Sequence, residues 1–106
     1  MSWRGHDTNL HAIWDTDLVE YPGLSWTEIA AALDHATPAQ VRQWQPAEPA
    51  AWLYESYLLC PPIYAEAALS TKLDYRYYPA HGPTVDQRLL QAGIRLAGVL
   101  NAAFGS

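Results

Sequence analysis

The chain has one cysteine, few cations and no long apolar run, and each shortage excludes a class of protein. The single cysteine, Cys60, excludes an intrachain disulfide, and its place before Pro61-Pro62 favours a buried structural thiol over a nucleophile. Six lysines and arginines against eleven acids give a net charge of −5. Because those cations are scattered, the basic groove of a duplex-binding protein is excluded. No run reaches the length of a membrane span, and the start of the chain predicts no signal peptide.

Apolar and aromatic residues are abundant instead. Half of the 106 residues are apolar, only 16% are charged, and five tryptophans and seven tyrosines add apolar area. This composition is typical of a folded chain, and we predict one domain over residues 1–106. A domain of this size buries roughly 60 to 70% of its unfolded surface, so we expect its stability to depend partly on a metal or on association.

Proline and glycine divide the chain into about five segments, which all read as helical rather than extended. A first helix over residues 8–19 has Thr8 or Asp7 as its cap. Ser25-Trp26-Thr27-Glu28 predicts a capping box that starts a second helix. Thr37-Pro38 predicts the start of a short third helix, with proline in the first turn, where its missing N–H is harmless.

Two longer helices and a loop are predicted in the second half. We predict one helix from Pro49 to Leu69 that is kinked at Pro61-Pro62, where two N–H donors are missing. Residues 73–83, rich in tyrosine and turn residues, predict an aromatic loop. The string Thr84-Val85-Asp86-Gln87 predicts a second capping box at the start of the last helix, which continues to Asn101. The fold class is therefore all-α.

Two glycines interrupt the apolar pattern of the last predicted helix. Gly93 and Gly98 each cost about 1 kcal/mol of helix propensity relative to alanine. We therefore expect another helix to approach closely at these positions, as a packing contact rather than a ligand site.

One short string carries chemistry. His11 and Asp15 are four residues apart in a predicted helix, so their side chains lie one turn apart on the same face. Neutral imidazole and carboxylate oxygen are typical zinc ligands. A catalytic zinc needs about three protein ligands, so further ligands must come from elsewhere in this chain or from another chain.

Three segments together resemble a known family. They are Thr8-Asn9-Leu10-His11-Ala12-Ile13-Trp14-Asp15, the string Trp52-Leu53-Tyr54-Glu55-Ser56, and residues 91–101 (QAGIRLAGVLN). They are similar to the zinc-dependent single-strand-specific nucleases of the S1/P1 type, which are related to the bacterial zinc phospholipases C. The resemblance covers nearly all of this chain but only the C-terminal part of the family's domain. It implies a helical, bundle-like fragment of that fold, with about five helices.

The resemblance also assigns roles to individual residues. It implies that His11 and Asp15 are ligands of one of three zinc ions at the bottom of a cleft. The family's upstream ligands, namely the N-terminal residue, two aspartates and several histidines, have no counterpart in this sequence. Glu55 has two interpretations: it accepts a hydrogen bond from a zinc-ligating histidine, or it is a partly exposed residue bonded to Arg88 or Arg95.

Four more residues are candidates because of their position near the motif. His6 and Asp7 could supply further ligands if the N-terminus folds back. Thr16 and Asp17 follow Asp15 directly and are candidates for lying near a phosphate. The two remaining histidines, His35 and His81, are more typical of solvated or capping positions than of ligands.

Two functions stay open at this stage. The resemblance implies zinc-dependent hydrolysis of phosphodiester or phosphomonoester bonds in single-stranded nucleic acid or nucleotides, by an oligomer that completes the site. The alternative is a non-catalytic helical module, derived from a truncated nuclease, that oligomerises and binds metal partly or not at all. Either function implies self-association as the partner interaction. Family members are usually secreted or periplasmic, the sequence identifies no catalytic side chain, and the location of this chain stays open.

Overall fold

The computed structural model describes residues 1–46 and 48–105, and it is mainly helical, as predicted. One small sheet accompanies the helices. In chain order the elements are β1 (Ser2–Trp3), β2 (His6–Asp7), α1 (Leu10–Ala12), a π-helical segment (Ile13–Asp17), α2 (Leu18–Glu20), α3 (Trp26–Leu33), α4 (Pro38–Trp44), α5 (Pro49–Leu69), β3 (Lys72–Leu73) and α6 (Tyr77–Phe104).

The helix that carries the histidine motif contains a π-helical turn. Elements α1, the π-helical segment and α2 run on without a gap over residues 10–20, and we call them together the motif helix. Asn9 is its cap, rather than Thr8 or Asp7, and its side chain accepts a 2.8 Å bond from the Ala12 N–H. The Leu18 N–H donates to the Ile13 carbonyl, five residues back. Ile13 and Leu18 therefore share one face, and both are fully buried.

The sheet was not predicted, because its strands have only two residues each. Strands β1 and β2 form a hairpin, and Arg4 and Gly5 between them both have positive φ, as primed hairpin turns require. Strand β3 pairs with β1 in parallel, with bonds from the Ser2 N–H to the Thr71 carbonyl (2.7 Å) and from the Arg4 N–H to the Leu73 carbonyl (2.9 Å). The start of the chain is thereby fixed to the segment before α6.

The structure confirms two predicted helix starts. Ser25 and Glu28 form a full capping box at α3, and Thr37 and Gln40 form another at α4, with Pro38 in the first turn. Helix α5 is continuous through Pro61-Pro62, so the prolines do not divide it into two helices. The N–H bonds that they remove would have reached the carbonyls of Tyr57 and Leu58.

The predicted aromatic loop over residues 73–83 is wrong from Tyr77 onward. Helix α6 begins at Tyr77, so the predicted capping box at Thr84 lies inside the helix. Tyr77 is buried against Trp3 and Trp14, and Tyr78 stacks on Tyr21 with ring centroids 4.4 Å apart. These long-range aromatic contacts outweigh the local turn preference of the proline and glycine residues.

The core lies where the sheet, the motif helix and the first half of α6 meet. It consists of six buried side chains: Trp3, Ile13, Leu18, Leu73, Tyr77 and Val85. Helix α5 contributes one buried apolar residue, Ala67, although nearly all of its residues are apolar. Across the described residues, no helix is both long and apolar enough to cross a membrane.

Candidate metal centre

His11 and Asp15 line the same cavity. Both side chains are exposed, and the cavity, of about 500 Å³, lies between the motif helix, α5 and α6. The spacing therefore brings an imidazole and a carboxylate to one site, although Asp15 belongs to the π-helical segment and not to a regular α-helix. π-helical turns inside α-helices are frequent at functional sites. Most of the remaining lining is apolar, from residues such as Leu10, Val19, Leu59, Ile63 and Tyr64.

Trp14, between the two candidate ligands, fixes the motif helix against α6. Its indole N–H donates to the Tyr77 hydroxyl at 3.0 Å, and burial raises the pKa of that hydroxyl. His81 packs against both rings, with centroids 5.3 Å from Trp14 and 4.1 Å from Tyr77. The His81 Nε2 lies 2.7 Å from a carboxylate oxygen of Glu66 on α5. This aromatic cluster fixes the turn of the motif helix that carries His11 and Asp15 against α6.

Sequence reasoning missed this role for His81. The interpretation of a solvated or capping histidine depended on a loop over residues 73–83, and that segment is helical from Tyr77. On the helix, His81 faces α5 and the motif helix, with its side chain only 16% exposed. The spacing of Tyr77 and His81, four residues apart, is the signal that could have indicated a shared helix face.

Glu55 is bonded to arginines. One carboxylate oxygen lies 2.6 Å from Nη1 of Arg95 and 3.2 Å from Nη1 of Arg88, and the other accepts from Nη2 of Arg95 at 2.9 Å. The Arg95 hydrogen bond is the main reason why the pKa of Glu55 lies below its ordinary value. This geometry corresponds to the second interpretation of Glu55, in which it is a partner of Arg88 or Arg95.

Arg88 belongs both to this network and to the cavity. It also donates to the Gln91 side chain (2.6 Å), the Ser56 hydroxyl (2.7 Å) and the Trp52 carbonyl (3.1 Å). Its side chain is 25% exposed, and it lines the cavity that holds His11 and Asp15. The Arg88 guanidinium thus lies in the wall of the same cavity as the carboxylate of Asp15, a candidate zinc ligand.

The other candidates lie outside this cavity. His6 and Asp7 are exposed in β2, and the N-terminus folds back onto β3 rather than toward His11. Thr16 and Asp17 belong to the π-helical segment but do not line the cavity. Cys60 does line it, yet its thiol is bonded to the Ser56 carbonyl at 3.4 Å. Within residues 1–46 and 48–105, no three histidine, cysteine or acidic side chains lie close enough to hold a metal ion.

Comparison with known proteins identifies the family. The S1/P1 nuclease family matches residues 1–105. Three similar proteins from Arabidopsis thaliana are Endonuclease 3 (34% identical over 98% of this chain), Endonuclease 4 (32% over 98%) and Endonuclease 5 (30% over 100%). The chain spans about two fifths of the length of these relatives, 40 to 41% in each case. No solved structure matches it. The chain belongs to the S1/P1 nuclease family.

Proposed function

We propose that this chain contributes to zinc-dependent hydrolysis of phosphodiester or phosphomonoester bonds in single-stranded nucleic acid or nucleotides. The observation that carries the proposal is that His11 and Asp15, an imidazole and a carboxylate, line one cavity in a member of a nuclease family. Their donor atoms fit zinc. Two side chains supply only part of a zinc site, so further ligands are needed, and an oligomer that completes the site is one way to supply them.

The chain's own residues would position the metal. His11 and Asp15 would hold zinc, and Trp14 fixes their helix through its bond to Tyr77. Zinc supplies Lewis acidity, which activates water at neutral pH and offsets the charge that develops on a phosphate oxygen. The apolar walls of the cavity lower the local dielectric, which strengthens the interaction between metal and phosphate.

The charge of the chain favours single-stranded over duplex substrates. With a net charge of −5, the surface offers little attraction to a duplex backbone. Exposed rings can instead stack on unpaired bases, and Tyr64, 65% exposed, lies at the cavity. Thr16, Asp17, His6 and Asp7 do not line this cavity, so the proposal gives them no role there.

A second function is favoured by the small number of ligands. Because no third ligand accompanies His11 and Asp15 among the described residues, the chain could act as a non-catalytic helical module that associates through its apolar surface. Metal content separates the two functions, since only the first requires a high-affinity zinc site.

Zinc analysis of purified protein tests the proposal. We expect near-stoichiometric zinc in the starting protein, and we expect His11→Ala and Asp15→Ala each to weaken zinc affinity by more than about 100-fold, because even groups that only support a ligand are worth 10- to 100-fold. Hydrolysis of a single-stranded oligonucleotide should exceed that of the same sequence as a duplex, and a chelator should abolish it.

Matched controls lie in the loop after α3. His35→Ala and Asp34→Ala remove the same residue types from outside the cavity, and both variants should keep their zinc. A folded protein without zinc, or zinc retained in both motif variants, would contradict the zinc site and leave the non-catalytic module as the function.

A further inference from the structure

Helices α5 and α6 share a charged cluster with more positive than negative charge. Glu55 of α5 forms ion pairs with both Arg88 and Arg95 of α6. Within residues 1–46 and 48–105, no other acid pairs with either arginine. Two guanidinium groups therefore share one carboxylate, and the cluster carries a net charge of +1. A chain whose net charge is −5 thus has a local excess of positive charge between these helices.

The excess charge lies at Arg88 rather than at Arg95. Arg95 contacts both oxygens of the Glu55 carboxylate, at 2.6 and 2.9 Å, and its side chain is only 4% exposed. Arg88 has one contact with that carboxylate, at 3.2 Å, and is 25% exposed. Because the attraction between charges falls with distance, the carboxylate compensates Arg95 more than Arg88.

Uncharged acceptors fix the orientation of Arg88. Its Nη1 donates to the Gln91 side chain at 2.6 Å, and its Nη2 donates to the Ser56 hydroxyl at 2.7 Å and to the Trp52 carbonyl at 3.1 Å. Together with the Glu55 contact, these bonds use both terminal nitrogens, whereas a guanidinium has a fifth N–H, on Nε. In the part of the chain that the structure describes, that N–H has no bonded acceptor. The guanidinium is thus held in place with one donor left for a ligand.

Arg88 supplies the positive charge of the candidate cavity. It lines the cavity of about 500 Å³ that also contains His11 and Asp15, and no other lysine or arginine among the described residues does so. The walls are mainly apolar, and charges interact more strongly beside walls of low dielectric. Asp15 contributes a carboxylate to the lining, but it forms no ion pair with Arg88. An oriented and weakly compensated cation in such a cavity is suited to bind an anion.

The anion that fits best is phosphate. Guanidinium groups recognise phosphate oxygens through short, charge-assisted hydrogen bonds, and phosphate is the anion that a member of a nuclease family meets. We propose that Arg88 binds a phosphate group in this cavity, through its Nε–H and its weakly compensated charge, and that its hydrogen-bonded neighbours position it. The phosphate site itself requires no metal. Its use on a substrate phosphate beside His11 and Asp15 rests on the proposed function.

The NMR signal of the arginine Nε–H tests the site in the unmodified protein. We expect inorganic phosphate, added to metal-free protein, to shift the Arg88 signal until it saturates. The signal of Arg42, which is exposed on α4 and outside the cavity, should stay unchanged. Chloride at the same ionic strength is the control anion and should produce no saturating shift at Arg88.

A substitution that cancels the excess charge tests the proposal while Arg88 stays in place. Gln91→Glu puts a carboxylate where an amide oxygen now lies 2.6 Å from Nη1 of Arg88. We expect the dissociation constant for inorganic phosphate to rise at least about 10-fold, the usual effect of losing one hydrogen bond to a charged group. Gln43→Glu, on the exposed side of α4, adds the same charge elsewhere and should leave the dissociation constant unchanged.

Replacing Arg88 itself separates a role in binding from a role in structure. Arg88→Gln should raise the dissociation constant for a single-stranded oligonucleotide at least about 10-fold. Arg88→Lys keeps the charge but loses the planar fork, so it should weaken binding less. Arg42→Gln is the control and should bind as the starting protein does. Circular dichroism checks the folding of each variant, and the measurements on the unmodified protein and on Gln91→Glu do not depend on removing Arg88.

Three results would overturn the proposal. Without a saturating shift at Arg88, the cavity has no phosphate site, and equal shifts at Arg88 and Arg42 would mean an adventitious ion only. A folded Gln91→Glu variant that binds phosphate as tightly as the starting protein would also contradict it. Phosphate binding at Arg88 in a protein that takes up no zinc would overturn only the zinc site. Stoichiometric zinc without a phosphate response at Arg88 would overturn only the phosphate site.

Discussion

At the scale of the residue, Arg95 shows how a charge is accommodated inside this small chain. It is only 4% exposed, yet its Nε donates to the Trp44 carbonyl at 3.0 Å and its two terminal nitrogens contact Glu55. Its guanidinium also lies 5.4 Å from the Trp52 ring centroid. Since these partners belong to α4 and α5, one side chain of α6 joins three helices. Removing one member of such a pair leaves the other charge without its partner.

Glu55→Gln tests this network. We expect a loss of about 1 to 2 kcal/mol in the free energy of unfolding at pH 7, because the uncharged glutamine makes weaker hydrogen bonds to the two arginines. The loss stays moderate because the Glu55 carboxylate is partly exposed, and solvent already weakens its attraction to them. Urea unfolding measures the change. Glu20→Gln, at an exposed position of α2, is the control and should change stability by less than about 0.5 kcal/mol.

The same carboxylate gives stability a pH dependence. Because the Arg95 hydrogen bond lowers the pKa of Glu55 in the folded state, the folded protein binds this proton less readily than the unfolded chain. Its contribution is therefore complete above the ordinary value of 4.5 and is lost as pH falls through the lower folded pKa. In Glu55→Gln, the fall in stability below about pH 5 should be shallower than in the starting protein.

At the scale of the element, α6 combines two glycines with opposite roles. A Cβ at Gly98 would come within 2.5 Å of the Gln45 side chain, whose Nε2 donates to the Ile94 carbonyl at 3.1 Å. The expected close approach of another helix is thus found at Gly98, where the end of α4 packs. At Gly93 nothing lies within 4 Å of the Cβ position, so the expectation is wrong there.

The glycine pair gives matched substitutions on one helix. Gly93→Ala should raise the free energy of unfolding by about 0.5 to 1 kcal/mol, since alanine has the higher helix propensity and the space is open. Gly98→Ala gains the same propensity but displaces Gln45 from its bond, so it should be neutral or destabilising by about 1 kcal/mol. Thermal unfolding of both variants, followed by circular dichroism, measures the difference. Equal stabilisation by both would contradict the close contact at Gly98.

At the scale of the whole molecule, the N-terminal strand closes the fold. Strand β1 pairs in parallel with β3, about 70 residues later, and Trp3 from β1 is 7% exposed in the core. Trp3 makes edge contacts with Tyr21 and Tyr77, whose ring centroids are both 6.3 Å away. The first three residues thus hold the motif helix and the start of α6 in place.

Trp3→Ala should therefore destabilise the whole molecule. We expect a loss of about 3 to 5 kcal/mol, the usual cost of removing a buried tryptophan. Trp26→Ala, which removes a side chain that is 92% exposed, should change stability by less than about 0.5 kcal/mol. Urea unfolding of the two variants provides the comparison, and similar losses in both would contradict the position of Trp3 in the core.

Helix starts could be predicted from the sequence where a capping motif of neighbouring residues alone decides them. Ser25 and Thr37 cap α3 and α4 as expected, because each box needs only residues three apart. Thr84 carries an equally good local signal and is no cap, because the packing of Tyr77 on Trp3 and Trp14 makes α6 begin at Tyr77. At the candidate site, His11 and Asp15 could be chosen from spacing, whereas the neighbouring cluster of Tyr77, His81 and Glu66 could not.

The sequence by itself determined the helical class and the family, and it led to the proposal of His11 and Asp15 as ligands, because capping, spacing and motif strings depend on residues close together in the chain. Only the tertiary structure decided which partners Glu55 takes, that β1 pairs with β3, and that Leu53 and Leu69 of α5 face solvent. Those outcomes depend on contacts between residues 30 to 70 positions apart. Local preference is too weak to specify such contacts, and the burial of aromatic side chains decides them.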